Sequence, residues 1–160
     1  MMHLHKSTRT LAVAQQPSKA AVTAWTRLVR AQQALVAAIE RDLKEADLPP
    51  LAWYDVLLET ERAGRDGLRP FELERAMLLA QYNLSRLVDR MAAAGYVERR
   101  PCADDGRGHL IAITEAGRAM RRRMWPVYAR AIETAVGRRL SGKQAATLGE
   151  LLGHLIDERP

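Results

Sequence analysis

The sequence predicts a mainly α-helical protein that carries a single two-stranded β-hairpin. Most of the chain beyond residue 21 has apolar residues three or four positions apart, which is the spacing of one helix face. Residues 95–117 break that pattern, because two short runs, 96–100 and 109–114, flank a turn-forming cluster at 103–108. The loop is too long for a two-residue turn. We therefore expect one charged hairpin to project from a helical protein.

In the N-terminal part of the chain, the helices are predicted from the spacing of apolar residues and from the positions of proline residues. Residues 1–20 show no periodicity and are expected to form a flexible arm, which leaves 21–160 as one domain. An apolar stripe predicts a first helix over 22–46, and Pro49-Pro50 ends it because proline cannot continue a helix interior. A second helix is predicted over about 50–62.

Two short helices lead into the hairpin. Pro70 suits the first turn of a third helix, over about 70–77, and Phe71, Leu73 and Met77 are its predicted apolar face. A fourth helix is predicted over about 81–94 and ends at Gly95. Its outward face is polar and comprises Gln81, Tyr82, Ser85, Arg86 and Asp89. Two short helices, a glycine stop and a basic hairpin are the layout of a winged helix-turn-helix over residues 50–113, which reads DNA with the helix and touches it with the wing.

Two further helices are predicted after the hairpin. Thr114 and Glu115 begin a long helix that contains Pro126, where we expect a kink. Ser141 and Gln144 match a capping box, which predicts a last helix. The apolar stripes of 22–46 and 115–156 are longer than one winged lobe needs. These N- and C-terminal helices are therefore predicted to form a dimerisation region.

Charge is distributed unevenly along the chain, whose net charge is +6. Residues 31–80 hold six basic and ten acidic side chains, whereas 118–143 hold eight basic and one acidic, a net of +7. This basic segment would suit a phosphate backbone, and an ordinary solvated helix face is the alternative interpretation. No apolar run approaches the roughly 20 residues that span a bilayer, and no signal-peptide pattern is present, so a cytoplasmic protein is expected.

Metal, cofactor and enzyme functions are disfavoured. The single cysteine, Cys102, excludes an intramolecular disulfide and a cysteine-rich zinc site, and the four histidines are scattered. There is no Gly-rich phosphate loop, nucleophile elbow or paired-histidine motif. We predict no cofactor, no metal and no enzymatic activity. A redox role of Cys102, which lies among arginines, stays open.

Four segments together resemble the MarR family of bacterial winged helix regulators: 85–91, 95–100, 105–108 and 110–117. The resemblance covers residues 25–156. It implies a homodimer with intertwined terminal helices, whose two lobes meet successive major grooves of a near-palindromic operator. It favours a repressor that a small aromatic ligand releases from DNA. The alternative is a helical dimeric protein-interaction module of the anti-repressor type, without DNA binding.

The same resemblance assigns DNA-contacting residues on the fourth helix and the wing. They are Gln81, Tyr82, Asn83, Ser85, Arg86, Arg90, Arg99, Arg100, Asp105, Arg107 and Gly108. By resemblance, Arg107 enters the minor groove at the wing tip and Asp105 holds Arg86 or Arg90. The two glycines beside Arg107 relax the backbone and remove bulk, which suits an arginine reaching into a narrow groove. An ordinary exposed loop residue is the alternative.

A ligand pocket is also implied by the family, on the helices that border its cleft. Trp25, Trp53 and Tyr54 lie on those helices, and Asp55 or Arg27 would be the polar anchor. Aromatic walls with one polar anchor suit a small phenolic or aromatic acid. The alternative is that these aromatic residues are ordinary core or interface residues.

Overall fold

The computed structural model of this chain describes residues 16–78, 83–102 and 108–156. Within these ranges the chain forms six α-helices, one π-helical turn and one two-stranded antiparallel sheet. In chain order they are α1 (Lys19–Glu45), α2 (Leu51–Arg62), α3 (Pro70–Ala76), α4 (Leu84–Ala93), β1 (Val97–Pro101), β2 (His109–Ile113), α5 (Glu115–Ile132), the π-helical turn (Glu133–Gly137) and α6 (Gly142–Gly153). The predicted fold class, mainly α with a winged helix-turn-helix and a two-stranded wing, is confirmed.

Helix α1 is longer than predicted, since it begins at Lys19 rather than near residue 22. The chain divides into two compact units, one that ends at Ala34 and one that begins at Leu35. In the second unit, Glu40 supports the start of α2. The residue before that helix, Pro50, offers no side-chain cap, and the Glu40 Oε1 atom instead accepts the Leu51 backbone N–H at 3.1 Å.

The core of the second unit is formed by the inward faces of α2, α4 and α5 and by the sheet. Its largest fully buried side chains include Leu43, Leu57, Leu73, Met91, Ile111 and Met124. None of these side chains is polar, so their burial supplies hydrophobic stabilisation without a desolvation cost. They fix the positions of α4 and the hairpin that follows it.

Two predictions for the third and fourth helices were wrong in detail. Phe71, predicted to face inward on α3, is 54% exposed, whereas Leu73 on the same helix is fully buried. Helix α4 begins at Leu84, not near residue 81, because Asn83 has non-helical backbone angles of φ −142° and ψ 69°. Residues 79–82, where the predicted helix began, lie outside the described residues.

The hairpin pairs in a continuous antiparallel register, from Val97 opposite Ile113 to Pro101 opposite His109. Leu68 extends this ladder, because it exchanges both backbone hydrogen bonds with Ile111. The predicted glycine stop after α4 is confirmed: Gly95 has φ +79°, in the left-handed region that glycine tolerates. The wing therefore starts directly from the end of α4.

The C-terminal helices follow the predicted order. Helix α5 contains Pro126 and continues past it to Ile132, and the helical pattern changes only at the π-helical turn. The predicted capping box of α6 is confirmed, since the Ser141 and Gln144 side chains each accept the other residue's backbone N–H. Among the described residues, no helix combines the length and the apolar character that crossing a bilayer requires.

Candidate nucleic-acid interface

Helix α4 has one buried and one exposed face. Leu84, Leu87, Val88 and Met91 are buried in the core. The exposed face comprises Ser85, Arg86, Asp89 and Arg90. The two faces follow from the 3.6-residue repeat, which places apolar residues three and four positions apart on one side. A row of hydrogen-bonding side chains is thus presented to solvent on a helix that the core holds rigidly.

Asn83 acts as the N-cap of α4. Its Oδ1 atom accepts the backbone N–H of Arg86 at 3.0 Å, which satisfies one of the free donors at the helix start. The predicted DNA-contacting residue therefore has a structural role as well. Replacing it would remove about 0.5–2 kcal/mol of capping energy in addition to any base contact.

An ion pair joins the wing to α4. The Arg99 Nη1 atom on β1 lies 2.7 Å from the Asp89 Oδ1 atom on the exposed face of α4. Both side chains are partly exposed, so the pair contributes little to stability by itself. It does fix the direction in which the Arg99 side chain extends, alongside the exposed face of α4.

Arg100 is held on the other side of the same strand. Its guanidinium pairs with Glu98, with Nε 2.6 Å from the Oε1 atom, and its Nη1 donates to the Arg65 carbonyl at 3.0 Å. A guanidinium has five N–H donors, so these bonds leave donors that a phosphate can accept from. Both wing arginines are thus pre-oriented by neighbouring groups.

Part of the predicted interface lies outside the described residues. Gln81 and Tyr82 fall in residues 79–82, and Asp105 and Arg107 fall in residues 103–107, between β1 and β2 in the sequence. The Gly108 carbonyl accepts the Cys102 N–H at 3.0 Å, beside the paired ends of the two strands. Cys102 itself is buried, and the Arg69 Nη2 atom donates to its sulfur at 3.2 Å.

The basic segment after the hairpin is partly neutralised within the protein. Arg118 and Arg121 on α5 both pair with Glu61 on α2, Arg118 at 3.9 Å. Arg122 pairs with Glu115 at 3.3 Å. For these three residues the pairing favours the structural interpretation of the charge excess over a direct role at phosphates.

A cavity of about 220 Å³ lies beside α2 and is lined by Tyr54 and Asp55, two of the predicted pocket residues. Leu78 and Tyr128 also line it. Trp53, the other predicted pocket residue of α2, does not line it. Trp53 packs edge-on against Tyr96, with ring centroids 5.8 Å apart, and its indole N–H has no partner among the described residues. Trp25 and Arg27 are exposed on the first part of α1.

Three aromatic rings cluster next to this cavity. Tyr54 stacks on Trp125, with centroids 6.1 Å apart, and meets Tyr128 edge-on at 5.1 Å. Burial raises the pKa of the Tyr128 hydroxyl, and the negative charge of Asp55 and the neighbouring Tyr54 raise it further. The Tyr128 hydroxyl therefore stays protonated at neutral pH and faces a carboxylate.

Sequence reasoning named Asp55 but missed its most specific contact. The Asp55 side chain is only 6% exposed, and its Oδ2 atom accepts the backbone N–H of Leu78 at 2.6 Å. A carboxylate inside the otherwise apolar inward face of α2 is the sequence signal for such a bond, because buried acids require hydrogen-bond donors. The donor comes from the segment between α3 and α4. Across residues 16–78, 83–102 and 108–156, no cluster of three His, Cys, Asp or Glu side chains suits a metal ion.

Comparison with known proteins agrees with this arrangement. The MarR family model matches residues 46–108, from the turn before α2 through β1. The multiple antibiotic resistance protein MarR of Escherichia coli K12 is 29% identical over 89 residues, 56% of this chain. That match spans 62% of the length of the E. coli protein.

Solved structures agree over nearly the whole chain. A MarR family transcriptional regulator of Streptomyces coelicolor, solved in complex with DNA, superposes with a TM-score of 0.80 and 26% identity over 89% of both chains. The chain is thus similar to MarR family regulators in sequence and in fold. A mutant MarR of E. coli complexed with operator DNA has a TM-score of 0.73 at 25% identity, over 84% of this chain and 95% of that one. The resemblance predicted from the MarR-like sequence segments is confirmed.

Proposed function

We propose that this protein is a DNA-binding transcriptional regulator of the MarR type. In this proposal a cytoplasmic homodimer, without enzymatic activity, represses transcription at a near-palindromic operator, and a small aromatic ligand releases it. Residues 50–113 form the DNA-binding lobe, and 22–46 and 115–156 are the dimerisation helices. Two relatives of the same fold have been solved with DNA, which supports the assignment.

The observation that carries the proposal is that the exposed polar face of α4 lies beside the wing. Ser85, Arg86 and Arg90 are exposed on a helix whose opposite face is buried. The Asp89–Arg99 ion pair joins that helix to β1. A helix that presents polar side chains, with arginines beside it, suits a major groove: helix side chains reach base edges and wing arginines meet phosphates.

The dimer is supported by apolar side chains that a single protomer leaves exposed. Leu148, Leu151 and Leu155 recur at three- and four-residue spacing along α6 and just past its end, and all three are exposed. Trp125 and Ile132 on α5 are exposed as well. An exposed apolar row of this kind marks a surface that another chain covers. A dimer with two DNA-binding lobes is expected to bind a near-palindromic operator, because the twofold symmetry of the protein is matched by the DNA site.

The test is selection of DNA sites from a random pool, followed by gel shifts over a range of salt concentrations. We expect a near-palindromic consensus and an affinity that falls steeply with salt, since phosphate contacts release counterions. Arg86→Ala should lower affinity by about tenfold or more. Arg41→Ala is the matched control, because Arg41 is an exposed arginine on α1 that is not among the predicted DNA-contacting residues.

Failure to select any sequence would contradict the proposal. A stable dimer without salt-dependent DNA binding would favour the alternative, an interaction module of the anti-repressor type.

A further inference from the structure

Thr114 is the single residue between the end of the wing and the start of α5, and it bonds to both. Its backbone N–H donates to the Tyr96 carbonyl at 3.1 Å, which continues the ladder of the hairpin one step beyond the Val97–Ile113 pair. Its Oγ1 atom accepts the backbone N–H of Gly117 at 3.1 Å and so caps α5. The wing and α5 therefore meet at this residue.

The same hydroxyl group also holds the end of α4. The Thr114 Oγ1 atom donates to the Gly95 carbonyl at 2.6 Å. Gly95 is the residue with φ +79° at which the chain leaves α4, and its own N–H donates to the Ala92 carbonyl at 2.9 Å. One hydroxyl group thus uses its proton on the junction between helix and wing, and its oxygen lone pair on the first turn of α5.

The backbones of α5 and of this junction are in direct contact. A methyl group at Gly117 would collide with the Tyr96 carbonyl, so the first turn of α5 lies against the backbone of Tyr96. The Tyr96 ring is itself packed edge-on against Trp53 of α2, with centroids 5.8 Å apart. The contact leaves little room for α5 to shift, and the Thr114 hydroxyl bonds to both sides of it.

We propose that Thr114 is a positioning residue for DNA recognition, which fixes the direction of α4 and the wing relative to α5. The inference rests on the proposed function, in which α5 is a dimerisation helix and α4 reads a major groove. In that dimer, the direction of α4 relative to α5 sets the distance between the two reading helices. That distance has to match the spacing of the two half-sites. Thr114 acts through α4 and the wing, without touching DNA itself.

Three substitutions separate the two bonds of the hydroxyl group. Thr114→Val has nearly the same shape and loses both bonds, whereas Thr114→Ser keeps both. Thr114→Asp still accepts the Gly117 N–H, since aspartate is a favoured N-cap, but a carboxylate cannot donate to the Gly95 carbonyl. Thr60→Val is the matched control, because the buried Thr60 hydroxyl donates to the Val56 carbonyl of its own helix.

The measurement is the affinity of the full-length protein for the selected operator and for versions with one base pair added to or removed from its centre. Wild type, Thr114→Ser and Thr60→Val should all prefer the selected spacing. Thr114→Val and Thr114→Asp should lose about threefold to tenfold of that preference, which corresponds to one net hydrogen bond. General loss of stability, or the added charge of aspartate, lowers the affinity for every spacing alike and leaves the preference unchanged.

A spacing preference of Thr114→Val equal to that of the wild type would overturn the inference. Loss of the preference in Thr114→Val but not in Thr114→Asp would overturn it too, because the hydroxyl would then act only as the cap of α5. Loss of the preference in Thr60→Val to the same extent would show a general effect of destabilisation and would also overturn it.

Amide hydrogen exchange tests the junction without DNA. The Gly95 and Thr114 amides should exchange about threefold to tenfold faster in Thr114→Val than in Thr60→Val, because the bond that closes the junction is lost. Equal exchange rates in the two variants would overturn the inference. If the wild type selects no DNA, the proposed function fails, and the exchange rates still decide whether Thr114 holds the end of α4 to α5.

Discussion

The apolar row of α6 gives the sharpest test of the dimer. Leu151 and Leu155 are 57% and 68% exposed in the single chain. We predict that replacing both with aspartate separates the dimer into monomers. The substitutions place charge at the centre of the proposed interface, where it would have to be desolvated without a partner.

The magnitude follows from the exposed fractions. Fully burying a leucine contributes about 1.5–3 kcal/mol, so covering the exposed three fifths of one contributes about 1–2 kcal/mol. A twofold dimer has two copies of both residues, which gives about 4–8 kcal/mol for the set. Each 1.4 kcal/mol is a factor of ten, so the dissociation constant of the dimer should rise by about a thousandfold or more.

The assay is sedimentation equilibrium at micromolar protein concentration, together with gel shifts on the selected DNA. The double variant should sediment as a monomer and bind DNA much more weakly, because one lobe loses the effective concentration that its tethered partner provides. Ala146→Asp is the control, since it adds a charge on the opposite side of α6, near Glu150. A double variant that remains dimeric would refute the assignment of α6 to the interface.

Three further predictions concern the DNA-binding lobe and the contact between α5 and the residue before β1. Arg107→Ala should weaken DNA binding strongly, while the far-UV circular dichroism spectrum and the melting temperature stay unchanged. Binding of the variant equal to that of the wild type at physiological salt would show that the wing does not contribute to DNA recognition. Ser85→Ala should change the base preference found by random-pool selection, whereas Arg99→Ala should lower affinity for all sequences and flatten its salt dependence. Identical consensus sequences for wild type and the Ser85 variant would contradict this division. Gly117→Ala should cost about 1–3 kcal/mol in urea unfolding, because the new methyl group would collide with the Tyr96 carbonyl; unchanged stability would refute the clash.

The sequence pattern predicted the order of the helices and strands, but it misplaced the buried face of α3 and the start of α4. Phe71 and Leu73 are two residues apart, which is about 200° around a helix, so they cannot share one face. Only Leu73 is buried, and the predicted face was wrong for that reason. The start of α4 was placed too early because 81–83 continue a polar pattern. Asparagine favours the N-cap position, and that preference marks the boundary at Asn83.

The site contacts could not be predicted in the same way, because they join residues that are distant in sequence. Trp53 and Tyr54 are neighbours on α2, yet a helix turns about 100° per residue, so they meet different partners. Trp53 packs on Tyr96 and Tyr54 on Tyr128. The sequence analysis placed both residues in one pocket because the sequence shows that they lie on the same helix but not which residues they contact. Asp55 was named as an anchor, but its donor, Leu78, is 23 positions away.

These contacts connect both ends of the DNA-reading helix to neighbouring elements of the second unit. The C-terminal half of α4 turns directly into β1 at Gly95, and the Asp89–Arg99 ion pair joins the two again, so helix and wing move together. The N-terminal end follows a connection whose Leu78 N–H depends on the Asp55 carboxylate.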